Sequence, residues 1–350
     1  MKLRSIEEIK NLNGKRVFVR ADLDAPLILQ GENLVVANGN RLNSNLETLR
    51  FLVASGARII LAGYLDRPEG IVEKSKSTKP IATYYQKFFP RVRHLSYCAG
   101  FKVENEVSKL EDGSILVLEN LRFLKAEEDN DPGLAGLYAK LADCYVNEAF
   151  ANCHRTEASL VSLPQILPAY AGFNLLKEVS FLTSVLVNPK KPMIIIIGGA
   201  KIETKLPVVE KLLGVADKIL VGGSVGCHKE VLEKFSPKVF YACGDPDLGF
   251  KIAKEWALEI LAAKTIVWNG PMGDIDKNQI LGTELIAQAV GEATQKGALS
   301  VVGGGDTVKF LRSGGFDKGI SFISTGGGAM LEFLAGKKLP ALKPLMIEQK

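Results

Sequence analysis

The sequence predicts an α/β chain with mostly parallel sheets, divided into two lobes, and three observations carry that expectation. Short β-branched runs alternate with segments of helical periodicity, the pattern of successive βα units. A helical segment with a firm stop divides the chain near its middle. The residues that follow the runs differ in kind between the two halves, and ligands of open α/β sheets bind outside the carboxyl ends of the strands.

In the first half the runs are Arg16–Arg20, Arg58–Ala62, Ile115–Leu118 and Cys144–Val146, and they end in charged side chains: RADLD, GYLDR, ENLRF and NEAF. In the second half they are Met193–Ile197, Lys218–Val221, Thr265–Trp268, Leu299–Val302 and Ile320–Ile323, and they end in glycine: GGAK, GGSVG, NGPMG, GGGDT and TGGGA. One glycine turn only ends a strand. Five in succession point to backbone brought close to an anion, with bare N–H groups and helix starts facing a phosphate. Between the halves, Leu175, Val179, Leu182 and Leu186 recur at helical spacing until Asn188-Pro189 stops the run. A single helix joining the lobes and an ordinary surface helix of either lobe both satisfy that pattern.

Bulk properties narrow the function classes. The 350 residues suffice for two cores, and 47% hydrophobic with 24% charged residues is a globular balance. The net charge of +5 is mild, and no Lys/Arg run interleaves with aromatics, so nucleic-acid binding is not expected. Five cysteines (98, 144, 153, 227 and 243) and three histidines (94, 154 and 228) form no metal-ligand spacing. The start, MKLRSIEEIKNLNGKRV, has no apolar signal region, and Met193–Ile197 is far too short to cross a bilayer. A reducing cytoplasm is the simplest home.

The common nucleotide signatures are missing: neither GxxxxGK[ST], nor GxGxxG with its dinucleotide acid, nor the protein-kinase set occurs. Phosphoryl transfer needs two anionic partners in line, a metal ion on the nucleotide and cations around the moving group. Arg20, Arg41, Arg67, Arg122 and Arg155 lie at or just after first-half strand ends, and the guanidinium fork matches carboxylate and phosphate oxygens. Taken singly each is more simply a solvated surface residue; their common placement favours a binding face.

VFVRADLDAP, LVLENLRF, YVNEAF, GGAKIETK, KTIVWNGPMG, VGGGDT and STGGGA, in this order along nearly the whole chain, resemble the signature segments of the phosphoglycerate kinase family. The resemblance implies two Rossmann-like lobes and reversible phosphoryl transfer from 1,3-bisphosphoglycerate to Mg-ADP. Residues 1–168 would bind the phosphoglycerate, 169–188 would form the interdomain helix, 189–333 would bind the nucleotide, and the tail 334–350 would return to the first lobe. By the same matching, Asp22 and Asp24 meet the glycerate hydroxyl and carboxylate, with Tyr64 in the substrate loop. Arg41 stabilises the moving phosphoryl group, while Arg67, Arg122 and Arg155 hold phosphate and carboxylate. Lys201 and Lys205 contact nucleotide phosphates, Asp306 holds Mg2+ through the nucleotide beside Thr307, and Gly304 and Gly305 open that loop. Gly326, Gly327 and Gly328 receive phosphate, Asn269 and Pro271 form the nucleotide loop, and Asp276 stands where a Glu meets the ribose. Arg41, Lys205, Gly327 and Gly328 are the expected catalytic set. A cytoplasmic monomer without nucleic-acid or membrane partners completes the expectation.

Departures from the family pattern cluster in the first half. HLGRP reads Tyr64-Leu65-Asp66-Arg67-Pro68 here, a basic-patch histidine is Glu157, and the residues before AF and after LENLRF are Glu148 and Leu124. Asp24 replaces an Asn. An unpaired acid about 5 Å from a bound phosphate would repel it by roughly 3 kcal/mol; alternatively Glu157 and Asp66 pair with neighbouring cations. The second half is shortened between Gly226 and Asp247. These changes keep two further readings open: a kinase for another small acyl phosphate, and a non-catalytic nucleotide-binding relative.

Overall fold

The computed structural model describes residues 1–347. The chain divides into two units, one of Met1–Lys177 with the chain from Leu339 onward, the other of Glu178–Lys338.

Unit 1 contains β1 (Arg16–Arg20), β2 (Leu27–Gln30), β3 (Asn33–Val36), β4 (Arg58–Ala62), β5 (Val92–Leu95), β6 (Ile115–Leu118), β7 (Cys144–Asn147) and β8 (Ala169–Ala171). Six of them form a parallel sheet in the order β5-β6-β4-β1-β7-β8. Every residue of β6 and β7 is buried, as a sheet covered on both faces demands. Alternate side chains serve opposite faces. Val17, Val19, Ile59, Leu61 and Val117 pack with Leu42, Leu49 and Leu52 of the helices on one side, while Phe18 meets Tyr138 and Tyr145 on the other. From β1 the chain goes first to β4 and later returns to β7 on the opposite side, so the crevice at the carboxyl ends of β1 and β7 is the topological switch point.

Unit 2 contains β9 (Met193–Ile197), β10 (Lys218–Val221), β11 (Val239–Tyr241), β12 (Thr265–Asn269), β13 (Leu299–Gly303) and β14 (Phe322–Ile323). They form a parallel sheet in the order β11-β10-β9-β12-β13-β14, a doubly wound arrangement with its switch point between β9 and β12. Ile194, Ile196, Ile266, Trp268 and Val302 build the core against Trp256, Ile260, Ile286 and Val290.

Three elements differ from expectation. Residues from 169 were expected in the joining helix, but Ala169–Ala171 pairs with β7 and the helix is Phe173–Val187. Gly172 separates the two, and the helix start is held by side chains from elsewhere: Phe173 N donates to Thr48 Oγ1 and Asn174 N to Glu148 Oε1. The division between the units falls within this helix, at Lys177 and Glu178. Leu334 ends the helix Gly327–Leu334 rather than starting a tail. From Leu339 the chain lies in unit 1, where Arg4 N donates to Leu345 O and Leu3 bridges Met346; residues 348–350 lie outside the described residues. The antiparallel pair β2 and β3 was not expected at all.

Candidate functional site

In unit 2 the glycine loops converge at the switch point. Gly198 N donates to Asn269 O, and Gly199 N to Pro271 O at 2.7 Å, so the loops after β9 and β12 are laced together by backbone. Part of the glycine content is therefore packing: a Cβ on Gly223, at φ +60, would lie 2.6 Å from Gly199 N and 2.9 Å from Pro271 O. Other glycines have a different character. Gly305 would meet nothing within 4 Å, and a Cβ on Gly327 would come 3.1 Å from Gly304 Cα. The starts of helices Gly305–Ser313 and Gly327–Leu334 thus approach one another, and neither has a side-chain cap. Their first N–H groups have no intrahelical acceptor, which makes the pair a candidate anion seat.

Lys205 lies beside this seat, one turn into helix Ile202–Leu212, and is only 7% exposed. Its ammonium donates to Asn269 Oδ1, and burial pushes its pKa down to about 8 against the pull of Asp306. Asn269 and Thr307 are buried braces: Asn269 receives Lys205, and the Thr307 hydroxyl accepts from Gly270 N at 3.0 Å. Asp306, Asp276 and Pro271 line a cavity of about 220 Å³ next to Gly199 and Gly223. Lys201 and Gly328 are exposed. The Asp306 carboxylate is a hard oxygen donor of the kind magnesium takes, and among the described residues no cluster of three ligands offers a self-sufficient metal cage.

Sequence reasoning missed three features here. Lys309, one turn after Asp306, lines the same cavity; the i, i+3 spacing was the available signal. Glu178 receives both Thr325 N and Thr325 Oγ1, anchoring the STGGGA loop, and nothing in the sequence links residues 147 positions apart. Cys227 and Cys243 form a disulfide across the shortened segment, an oxidised pair that a reducing home did not foresee.

In unit 1 the charged strand ends gather around β1 and β7. Asp22 is buried; burial raises its pKa, with Arg41 opposing. Arg41 Nη1 is 3.2 Å from Asp24 Oδ2 and 3.7 Å from Asp22 Oδ2, and the Arg41 side chain remains 42% exposed. Asp24 also accepts from Asp66 N, tying the first strand end to the loop after β4. Arg67 is exposed. Arg155 is half-buried, and its Nε is buried with no hydrogen-bond partner among the described residues.

Arg122 and Tyr64 differ from the substrate ligands the sequence led us to expect. Arg122 is 1% exposed, and its Nη2 and Nε reach Glu157 Oε1 at 2.6 and 3.1 Å, while Nη1 donates to Asp66 O. Arg20 is fully buried and gives Nη2 to Glu157 Oε2 at 3.0 Å. Glu157 itself is buried, so of the two outcomes left open for it, internal pairing is the one observed. Tyr64 is 5% exposed, and its hydroxyl accepts from Asn152 Nδ2. The physical reason is cooperative: two buried guanidinium groups need a counter-charge, and the aromatic face covering them adds a cation–π contact.

Comparison with known proteins fits this geometry. The sequence profile of the phosphoglycerate kinase family matches residues 6–232 and 244–337, passing over part of the shortened segment. The chain is 35% identical to a phosphoglycerate kinase of Chloroflexus aggregans, covering 95% of this chain and 96% of that one. It is 36% identical to the chloroplastic enzyme of Volvox carteri, covering 96% and 84%. Among solved structures, the phosphoglycerate kinase of Pyrococcus horikoshii superposes with a TM-score of 0.87 at 28% identity, covering 98% of each chain. That of Coxiella burnetii gives 0.83 at 31%, covering 98% and 99%. With its two doubly wound sheets, its paired helix starts and a family match over most of its length, the chain belongs to the phosphoglycerate kinase family, kinases that transfer phosphate reversibly between a carboxyl group and ADP in glycolysis.

Proposed function

We propose that unit 2 holds the phosphates of Mg-ADP or Mg-ATP at the starts of helices Gly305–Ser313 and Gly327–Leu334, and that unit 1 holds 3-phosphoglycerate or 1,3-bisphosphoglycerate at its charged strand ends. The observation that carries the reading is the pair of uncapped helix starts beside the buried ammonium of Lys205. Lys205 in its charged form would donate to the transferring phosphoryl oxygens, with N–H groups of Gly327 and Gly328 behind them. Arg41 would stabilise the charge that develops in transfer, since preorganised donors are worth most where charge appears. Asp22, Asp24, Arg67 and Arg155 would orient the acid, and Lys201, Asn269, Pro271, Asp276, Gly304, Gly305 and Thr307 would shape the nucleotide side. Magnesium, held by Asp306 through the nucleotide, supplies neutralisation of phosphate charge when bound.

The experiment is a coupled assay with Mg-ATP and 3-phosphoglycerate. Turnover should be readily measured and kcat/KM should fall about 100-fold or more in Lys205→Ala; equal activity in the two would sink the assignment of Lys205. A second reading, a related small acyl phosphate as partner, draws on the Tyr64 and Glu157 arrangement, and a panel of small carboxylic acids in the same assay separates the two. Among the described residues no helix is long and apolar enough to cross a membrane; the further proposal is a cytoplasmic monomer, checked by light scattering and cell fractionation.

A further inference from the structure

The ring of Tyr64 is surrounded by three guanidinium groups. The Cζ of Arg122 lies 3.4 Å from its centroid, that of Arg20 5.4 Å and that of Arg155 5.7 Å. Three cations this close repel one another, and an anion in their midst is the ordinary solution. Here the anion is part of the chain. Glu157 places Oε2 on Arg20 and Oε1 on Arg122, bridging the two guanidinium groups with charge-assisted hydrogen bonds as a ligand carboxylate or phosphate would. Burial pushes the Glu157 carboxyl up, but Arg20 and Arg122 pull it further, so it stays below the ordinary range and charged. Arg20 is also fixed by Ser159 Oγ and Asn152 Oδ1, and the same Asn152 donates to the Tyr64 hydroxyl. Anion, cations and cover are therefore one built assembly. Arg155, the third cation on the ring, also acts on the Glu157 charge, and its Nε is a buried donor without a hydrogen-bond partner among the described residues.

We propose that Glu157 is a built-in counter-anion that withdraws Arg20 and Arg122 from substrate binding, with the Tyr64 ring as its cover, and that this pair sets acid specificity by leaving the substrate to Arg41, Arg67 and Arg155. The proposal rests on reading unit 1 as the acid-binding lobe. Tyr64 and Glu157 act through the arginines and are positioning residues. An acid that must meet only three cations is held less tightly than one that meets five, and acids with fewer negative charges are penalised less.

The test compares wild type, Glu157→Gln and Tyr64→Ala in KM and kcat for 3-phosphoglycerate, and in the rise of melting temperature produced by inorganic sulfate. Removing the internal anion should lower KM about tenfold while kcat changes less than about threefold, because the transferring group is served by Arg41. Sulfate should stabilise Glu157→Gln several-fold more than wild type, since the vacated forks recruit it, and uncovering Arg122 in Tyr64→Ala should enlarge the sulfate effect about twofold. A purely structural role for the pair predicts lower stability with unchanged KM and an unchanged sulfate effect, and that result overturns the proposal. If Glu157→Gln does not fold, Tyr64→Ala decides alone: a sulfate effect equal to wild type overturns it. Arg41→Ala keeps the two readings apart. An unchanged KM for the acid in that variant defeats the assignment of unit 1 as the acid lobe, whereas the sulfate comparison bears on Glu157 and Tyr64 whatever the acid's location.

Discussion

Lys205 carries a protonation state that burial, rather than any partner, decides. Its pKa is near 8, against about 10.4 for a free lysine. The unfolded chain binds this proton through the window between the two values, so burial costs stability below about pH 8, and the cost fades as pH rises toward the unfolded value. For binding, the sign is the reverse. A phosphate seat needs the ammonium, so the affinity for Mg-ADP should be flat below about pH 8 and fall up to about tenfold per pH unit above it. Calorimetry at pH 7, 8 and 9 in buffers of different ionisation enthalpy reads both the affinity and the proton taken up. Equal affinity at pH 7 and 9 with no proton uptake would remove Lys205 from the phosphate seat.

At the level of elements, the glycine loops separate into two physical kinds, and substitution tells them apart. Gly223 is needed because its loop touches the neighbouring loop, so Gly223→Ala should destabilise the protein by about 2 kcal/mol or more from steric conflict and a left-handed φ. Gly305 faces open space at a helix start, so Gly305→Ala should leave stability unchanged or raise it by up to about 1 kcal/mol, yet weaken Mg-ADP because the methyl would intrude on the proposed phosphate seat. Urea midpoints together with ADP titrations check both; an undiminished ADP affinity in a stable Gly305→Ala would count against that helix start as a seat. The distinction was not legible in the sequence, where all five loops look alike, since close backbone approach arises only when the strands are side by side. Long β-branched runs such as Met193–Ile197 announced themselves. The pair β2 and β3 did not, although Gly31, at φ +61, makes the two-residue turn between LILQ and NLVV. β8 was hidden inside a helical expectation because Ala169, Tyr170 and Ala171 are too few to carry a period of their own. The Glu157 pairing was legible only as one of two alternatives, because a carboxylate among arginines either repels a ligand or satisfies the arginines, and burial decides which.

On the scale of the whole molecule, each unit has its own sheet and its own core, so unfolding is not bound to be a single two-state event. The assignment of one ligand to each unit then becomes measurable without any assumption about how the units are arranged. Both tryptophans, Trp256 and Trp268, lie in unit 2, packed in the core beneath the glycine loops. Tryptophan fluorescence therefore reports the melting of unit 2, while far-ultraviolet circular dichroism reports both. A ligand present at about 100 times its Kd stabilises the state that binds it by about 2.7 kcal/mol, a shift of several degrees for units of this size. Mg-ADP should raise the fluorescence transition directly, and Lys205→Ala should diminish that rise. With 3-phosphoglycerate alone, the dichroism transition should rise ahead of the fluorescence transition, and Arg41→Ala should abolish the difference. Should 3-phosphoglycerate move the fluorescence transition first and Mg-ADP leave it in place, the two ligands have been assigned to the wrong units.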